Sequence, residues 1–107
     1  MGVHVIAVYR PKPGGQEALE AEVLDHVPLL RRIGLATDTP SLVLRAPDGT
    51  IIEHFEWASH DAIEAAHSHP EVLEMWGRYD ACCEYGTLAD LPNATTMFAE
   101  FEYVGRY

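Results

Sequence analysis

Six histidines punctuate a chain with few cations, and two of them fall where an imidazole could do acid–base work. His67 lies in FEWASHDAIEAAHSHPEV (55–72), where a strand ends at Trp57 and a helix begins near Ser59. In a helix over 60–70, His67 stands about 40° from Ile63 at roughly 100° per residue, so it leans toward the buried side. There it would point into a cleft over Phe55 and Trp57. Its role would be a general acid or base, or a donor that orients a ligand, because imidazole titrates near neutral pH. The other reading is a histidine hydrogen-bonded at the helix edge.

His26 follows Leu19 by seven residues, near the centre of an apolar helical stripe. A lone polar group there must find a partner or a cavity. Glu53, the one charge on the sheet face beneath, is the partner within reach. Catalysis and a satisfied core histidine are both open for His26. His60 and His69 read as solvent-facing residues at helix starts. Tyr9, Tyr103 and Trp57 offer flat faces with polar tips, which suits a planar aromatic ligand.

Other chemistry finds little support. His4, His54, Glu56, Glu100 and Glu102 share one strand face without tight ligand spacing, so no metal is expected. Cys82 and Cys83 are adjacent and cannot readily close a disulfide with each other; they read as reduced thiols. No G-x-S-x-G, Gly-rich phosphate loop, H-E-x-x-H, flavin or nicotinamide motif occurs, so no cofactor is expected.

The elements that must position these groups follow from pattern. VHVIAVYR (3–10) alternates as a strand and is stopped by PKPGG (11–15). Leu19, Val23, Val27 and Leu30 repeat at helical spacing up to Gly34. SLVLRA (41–46) and TIIEHFEW (50–57) flank the turn residues PDG and form a hairpin. Ser59 caps a helix, and Pro70 opens a second helical segment striped by Val72, Met75, Trp76, Tyr79 and Cys83. YGTLADLPNA (85–94) reads as a loop and TTMFAEFEYV (95–104) as a last strand.

The order βαββαβ gives an α+β fold over residues 1–107 as a single domain. It is a ferredoxin-like, four-stranded antiparallel sheet with helices on one face. Parity places Val3, Val5, Ala7, Tyr9, Ile51, Glu53, Phe55, Trp57, Met97, Ala99, Phe101 and Tyr103 under the helices. The opposite face carries Ile6, Val8, Ile52 and Phe98, and a second copy of the chain is the simplest cover for them. Net charge is −10, from 7 Lys+Arg against 17 Asp+Glu, which disfavours nucleic acid and anionic membranes. No apolar run approaches the roughly 20 residues of a membrane span, and no signal peptide opens the chain, so a cytoplasmic location is expected.

The βαββαβ order, the strand ending in FEW and the pattern Trp57, Ser59, Ala62, His67 followed by His69–Pro70 resemble the dimeric α/β-barrel superfamily. The nearest branch is the antibiotic-biosynthesis-monooxygenase type. That resemblance implies a homodimer joined through its open sheet faces and a small-molecule cleft between sheet and helices. It implies a cofactor-independent monooxygenase acting on a small aromatic or polyketide-like molecule. His67 or His26 would be the base, and Trp57, Tyr9, Phe55, Tyr103 and Glu53 would bind substrate. Relatives of this type also include haem-degrading enzymes, which pair a first-strand Asn with a helical Trp and His; the first strand here has no Asn. The alternatives are a non-catalytic dimeric ligand-binding or stress-associated module, or a cyclase or isomerase of the same superfamily.

Overall fold

The computed structural model describes residues 2–107. Strand β1 (Val3–Pro11) leads through a Gly-bearing turn to helix α1 (Gln16–Arg32), and β2 (Leu42–Arg45) pairs with β3 (Ile51–Trp57) as a hairpin. Helices α2 (His60–Ala66) and α3 (Pro70–Cys82) follow, then β4 (Cys83–Gly86), a 3₁₀ turn at Leu88–Asp90 and β5 (Glu102–Arg106). The sheet is five-stranded in the order β4-β1-β3-β2-β5, and every adjacent pair is antiparallel. The protein is thus an α+β fold with three helices on one sheet. None of the helices is long and apolar enough to cross a membrane.

Local chemistry accounts for the boundaries. Gly49 takes φ 92° in the hairpin turn, a conformation that strains any residue with a Cβ, while Asp48 Oδ1 accepts the Thr50 N–H at 3.0 Å. Ser59 Oγ accepts the Ala62 N–H at 3.0 Å and so caps α2. His69 caps α3 by accepting the Glu71 N–H, with Pro70 in the first turn where its missing N–H costs nothing.

The sheet differs from the four strands expected. β4 occupies the edge beside β1, pairing Tyr9 with Tyr85 and Val8 with Gly86. Four residues are too few to show a strand period, and only the exposed edge of β1 selects them. Segment 95–101, which alternates like a strand, has no neighbour to pair with and forms turns instead. Pairing resumes at β5, on the far edge beside β2. Arg31 holds that edge by donating to the main-chain oxygens of Thr37, Thr39 and Tyr107.

Parity holds for β1 and β3. Tyr9, Ile51, Phe55 and Trp57 pack in the core beneath Leu19, Val23 and Leu30 of α1, Ala62 and Ala66 of α2, and Val72, Met75 and Tyr79 of α3. Val3, Val5 and Ala7 pack against the same core. The last strand is a correction. The register between β2 and β5 shifts at Val43/Leu44, so Val104 turns to the helix side while Tyr103 stands opposite Leu44. Phe101 packs with Val8, Ala46, Ile52 and Leu91 on the other face, and Met97 and Tyr103 are exposed. Val8 and Ile52 are therefore covered by the chain's own 87–101 connection, whereas Ile6 and Phe98 stay open.

One carboxylate ties the N-terminus to the 37–39 loop. Glu56 accepts the hydroxyls of Thr39 (2.7 Å) and Thr37 (2.8 Å) and the N–H of Gly2 (2.9 Å), with His4 at 3.3 Å. The two threonine hydroxyls, then the Gly2 amide and His4, pull its pKa from 4.5 to about 2. A depressed carboxyl pKa adds stability above its unfolded value and loses it as pH falls through the folded one. Glu56→Gln should therefore melt below the wild type at neutral pH. That gap should close as pH falls from about 4.5 toward about 2. A gap that does not change across this range in thermal melts would contradict the anchoring.

Candidate active site

The site is assembled from the inner faces of β1 and β3 and the buried stripes of α1 and α3. Register sets Ala7 opposite Glu53 and Val5 opposite Phe55, so both strands send side chains toward the helices at the same level. His26 comes down from α1 and Tyr79 from α3, and both are buried. Between these surfaces lies a cavity of about 460 Å³. Its apolar walls are Val5, Ala7, Phe55, Trp57 and Trp76; its polar groups come from Tyr9, His26, Tyr79, Asp80 and Tyr85. Among the described residues no Lys or Arg lines it.

The polar end is organised by Glu53. Its side chain is fully buried, and Oε1 accepts the Tyr9 hydroxyl at 2.9 Å and lies 2.8 Å from Nδ1 of His26. A carboxylate so placed takes an Nδ1–H, which selects the imidazole tautomer and leaves Nε2 with a lone pair for a ligand proton. The ring is clamped edge-on by Phe55 (centroids 5.1 Å apart) and Tyr79 (5.5 Å). Burial, then the Glu53 charge, pushes the Tyr9 phenol well above its ordinary pKa, and the same two causes raise Tyr79. Both therefore stay protonated, and Tyr9 donates to Glu53. Glu53 Oε2 and the Tyr79 hydroxyl are buried without a hydrogen-bond partner among the described residues.

The seven site residues read from the sequence divide. Tyr9, His26, Phe55 and Trp57 line the cavity, and Glu53 stands behind its polar end. His67 does not reach it. It is exposed at the C-terminus of α2, its Nδ1 is 2.8 Å from the Ile63 carbonyl, and its ring lies edge-on to the outer side of Trp76 at 5.3 Å. His67 is the C-cap of α2 with αR backbone, and its imidazole turns back along its own helix to the Ile63 carbonyl instead of entering the cavity. Tyr103 belongs to the opposite face, because the β5 register places it there.

Trp76 and Tyr79 join the site from a stripe that reads as ordinary core. Their three-residue spacing put both on one helix face, and a buried tyrosine hydroxyl needs a partner; that was the available signal. Tyr85 carried no signal, because β4 is too short to be seen, and Asp80 on α3 read as an ordinary polar helix residue. Cys82 and Cys83 are buried and unpaired, and burial pushes Cys83 up to about 12, which removes it as a neutral-pH nucleophile. Among the described residues no group of three His, Cys, Asp or Glu converges as a metal site. The exposed pair His4–His54, with Nδ1 and Nε2 3.0 Å apart, lies on the far side of the sheet from the cavity.

Fold and site together define an α+β protein whose helix-covered sheet face encloses an aromatic cavity with a Glu–His pair at one end. No family model, curated protein or solved structure matches the chain.

The hydroxyls of Tyr9 and Tyr79 should behave oppositely. Tyr9→Phe removes a donor to a buried carboxylate and should cost about 1.5–3 kcal/mol in chemical denaturation. Tyr79→Phe removes a buried hydroxyl that makes no hydrogen bond to the described residues. It should leave stability unchanged or raise it by up to about 1 kcal/mol.

Proposed function

We propose that this protein is a cofactor-independent monooxygenase of the dimeric α/β-barrel type, acting on a small aromatic or polyketide-like molecule held in the cavity between sheet and helices. The observation that carries this reading is the buried Tyr9–Glu53–His26 group at the wall of an otherwise aromatic and apolar cavity. The strand order supports the fold assignment. β3 lies between β1 and β2, and β1 between β3 and β4, which is the split β-α-β arrangement, with β5 as an addition.

The chemistry follows from what the cavity contains. An activated CH₂ flanked by aromatic rings or a carbonyl loses a proton to Nε2 of His26, and Glu53 stabilises the imidazolium that forms. The resulting carbanion passes its electrons to molecular oxygen, forming a C–O bond. The peroxide takes back a proton, and loss of water converts the hydroperoxide to a ketone. The balance is one CH₂ and one O₂ giving one C=O and one H₂O. The protein supplies the base, a dry site and orientation, and Phe55, Trp57 and Trp76 hold the rings.

Purified protein given a hydroxylated anthrone should consume oxygen and ketone-forming substrate in equal amounts. His26→Gln should lower turnover by about 10²–10⁴. His67→Gln should leave it within about twofold, because His67 meets the Ile63 carbonyl and the ring of Trp76 and does not line the cavity. Conversion without oxygen uptake would replace this reading with the isomerase or cyclase one. Binding without conversion would replace it with the binding module.

We also propose a homodimer through the sheet face away from the helices, where Ile6, Phe98, Met97 and Tyr103 are exposed. Light scattering at micromolar concentration should give twice the chain mass, and Phe98→Asp should shift it to the monomer. A wild-type monomer would sink the dimer without touching the cavity reading.

A further inference from the structure

The cavity has two unlike ends. Its inner end is the buried group of Tyr9, Glu53 and His26. Among the described residues of its wall only Asp80 and Tyr85 are exposed, so these two mark the mouth. The Asp80 carboxylate lies beside the Tyr85 hydroxyl: partial burial, then this neighbouring charge, push the Tyr85 phenol above its ordinary pKa. Helix α3 ends at Cys82, so Asp80 puts negative charge in the last turn, where the helix dipole disfavours it. Among the described residues no Lys or Arg lies within ion-pair distance of that carboxylate. Lys12 is close by, but its Nζ donates to the main-chain oxygen of Asp80 at 2.7 Å and is not part of the wall.

The mouth therefore combines a carboxylate that the fold leaves without a cation and the faces of aromatic rings. Tyr85 is 52% exposed, with its ring edge-on to Tyr9, and the half-buried Trp76 lines the way in. A carboxylate beside aromatic faces favours an ammonium group, through charge and through the ring quadrupole. A ligand carboxylate fares badly in either orientation. It meets Asp80 at the mouth, or it enters a mostly apolar space toward Glu53.

We propose that Asp80 is a specificity-determining residue at the cavity mouth, and that the ligand is an aromatic molecule carrying a protonated alkylamine. Its rings lie among Phe55, Trp57 and Trp76, and its ammonium group rests at the mouth against the Asp80 carboxylate and the ring of Tyr85. This rests on the cavity reading above and deepens it by naming the ligand's charge. Orientation follows from the two ends. With the ammonium held at the mouth, the opposite end of the ring system is directed toward His26, where the base acts.

Three probes of similar shape test this on the full chain by calorimetric titration near neutral pH: naphthylmethylamine, naphthylmethanol and naphthoate. Wild type should bind the amine about fivefold tighter than the alcohol, the combined value of an exposed ion pair and an exposed cation–π contact. Naphthoate should bind at least about tenfold more weakly than the amine. Asp80→Asn should bring amine and alcohol within about twofold and leave alcohol affinity unchanged. Glu64→Gln, which removes the same charge from an exposed position on α2 outside the wall, should keep the preference. Raising salt from about 50 mM to about 500 mM should weaken the amine and not the alcohol. An amine preference that survives in Asp80→Asn, or that is lost equally in Glu64→Gln, would overturn the inference. So would a preference insensitive to salt, which is read on wild type whether or not Asp80→Asn folds. Naphthoate binding as tight as the amine would overturn it too, and would give the mouth to Lys12. Equal binding of all three would sink it and leave the cavity reading intact. No binding of any probe, or binding undiminished in Ala7→Trp, which fills the cavity, would sink both.

Discussion

A single buried carboxylate shapes this protein's interior. Glu53 sits in the middle of the central strand β3, fully enclosed, where an unpaired charge would be prohibitively costly. Two donors on one oxygen, from Tyr9 on the neighbouring strand and His26 on α1, make the burial tolerable. Each partner is thereby fixed. Tyr9 cannot leave the inner face of β1, and the imidazole of His26 cannot rotate without abandoning the charge. The polar end of the cavity is a by-product of keeping Glu53 satisfied. A group held this firmly for structural reasons is also well placed for chemistry, because its geometry does not have to be reorganised when a ligand arrives.

The cavity itself reflects a mismatch of side-chain sizes. Strand β1 offers only Val5, opposite Phe55, and Ala7, opposite Glu53, side chains too small to meet α3 across the gap. Trp76 and Tyr79 close the far wall without filling the space. An aromatic lining of this kind is rigid, and each ring is braced by another: Phe55 against Trp57 at 5.2 Å, Tyr9 against Tyr79 at 4.9 Å. The void is thus held open by stacked rings instead of collapsing onto the core.

The opposite face follows a different logic. The connection from β4 to β5 crosses it from one sheet edge to the other, and Leu91 and Phe101 cover Val8 and Ile52 on the way. What stays open is the end carrying Ile6 with the His4–His54 pair, together with the exposed Met97 and Phe98. The chain therefore covers part of its own second face and leaves a smaller apolar patch than strand parity alone foretells.

Much of this architecture was legible in residue order. Alternation in 3–10 and 50–57 assigned the inner faces of β1 and β3, and the stripe of α1 set His26 over the one buried charge. Those inferences work because strand parity and helical pitch are local geometry. The pairing of His26 with Glu53 follows from them, since a buried ion must find the nearest polar group. The rest was decided by tertiary contact. Residues 83–86 are a strand only because β1 has a free edge. Residues 95–101 are not one because nothing lies beside them, and a register shift against β2 turned Tyr103 outward. The imidazole of His67 turned back to the Ile63 carbonyl of its own helix and stayed outside the wall formed by Trp76. Tyr79 passed from core residue to cavity lining because only the assembled helices and sheet show where packing stops and empty space begins.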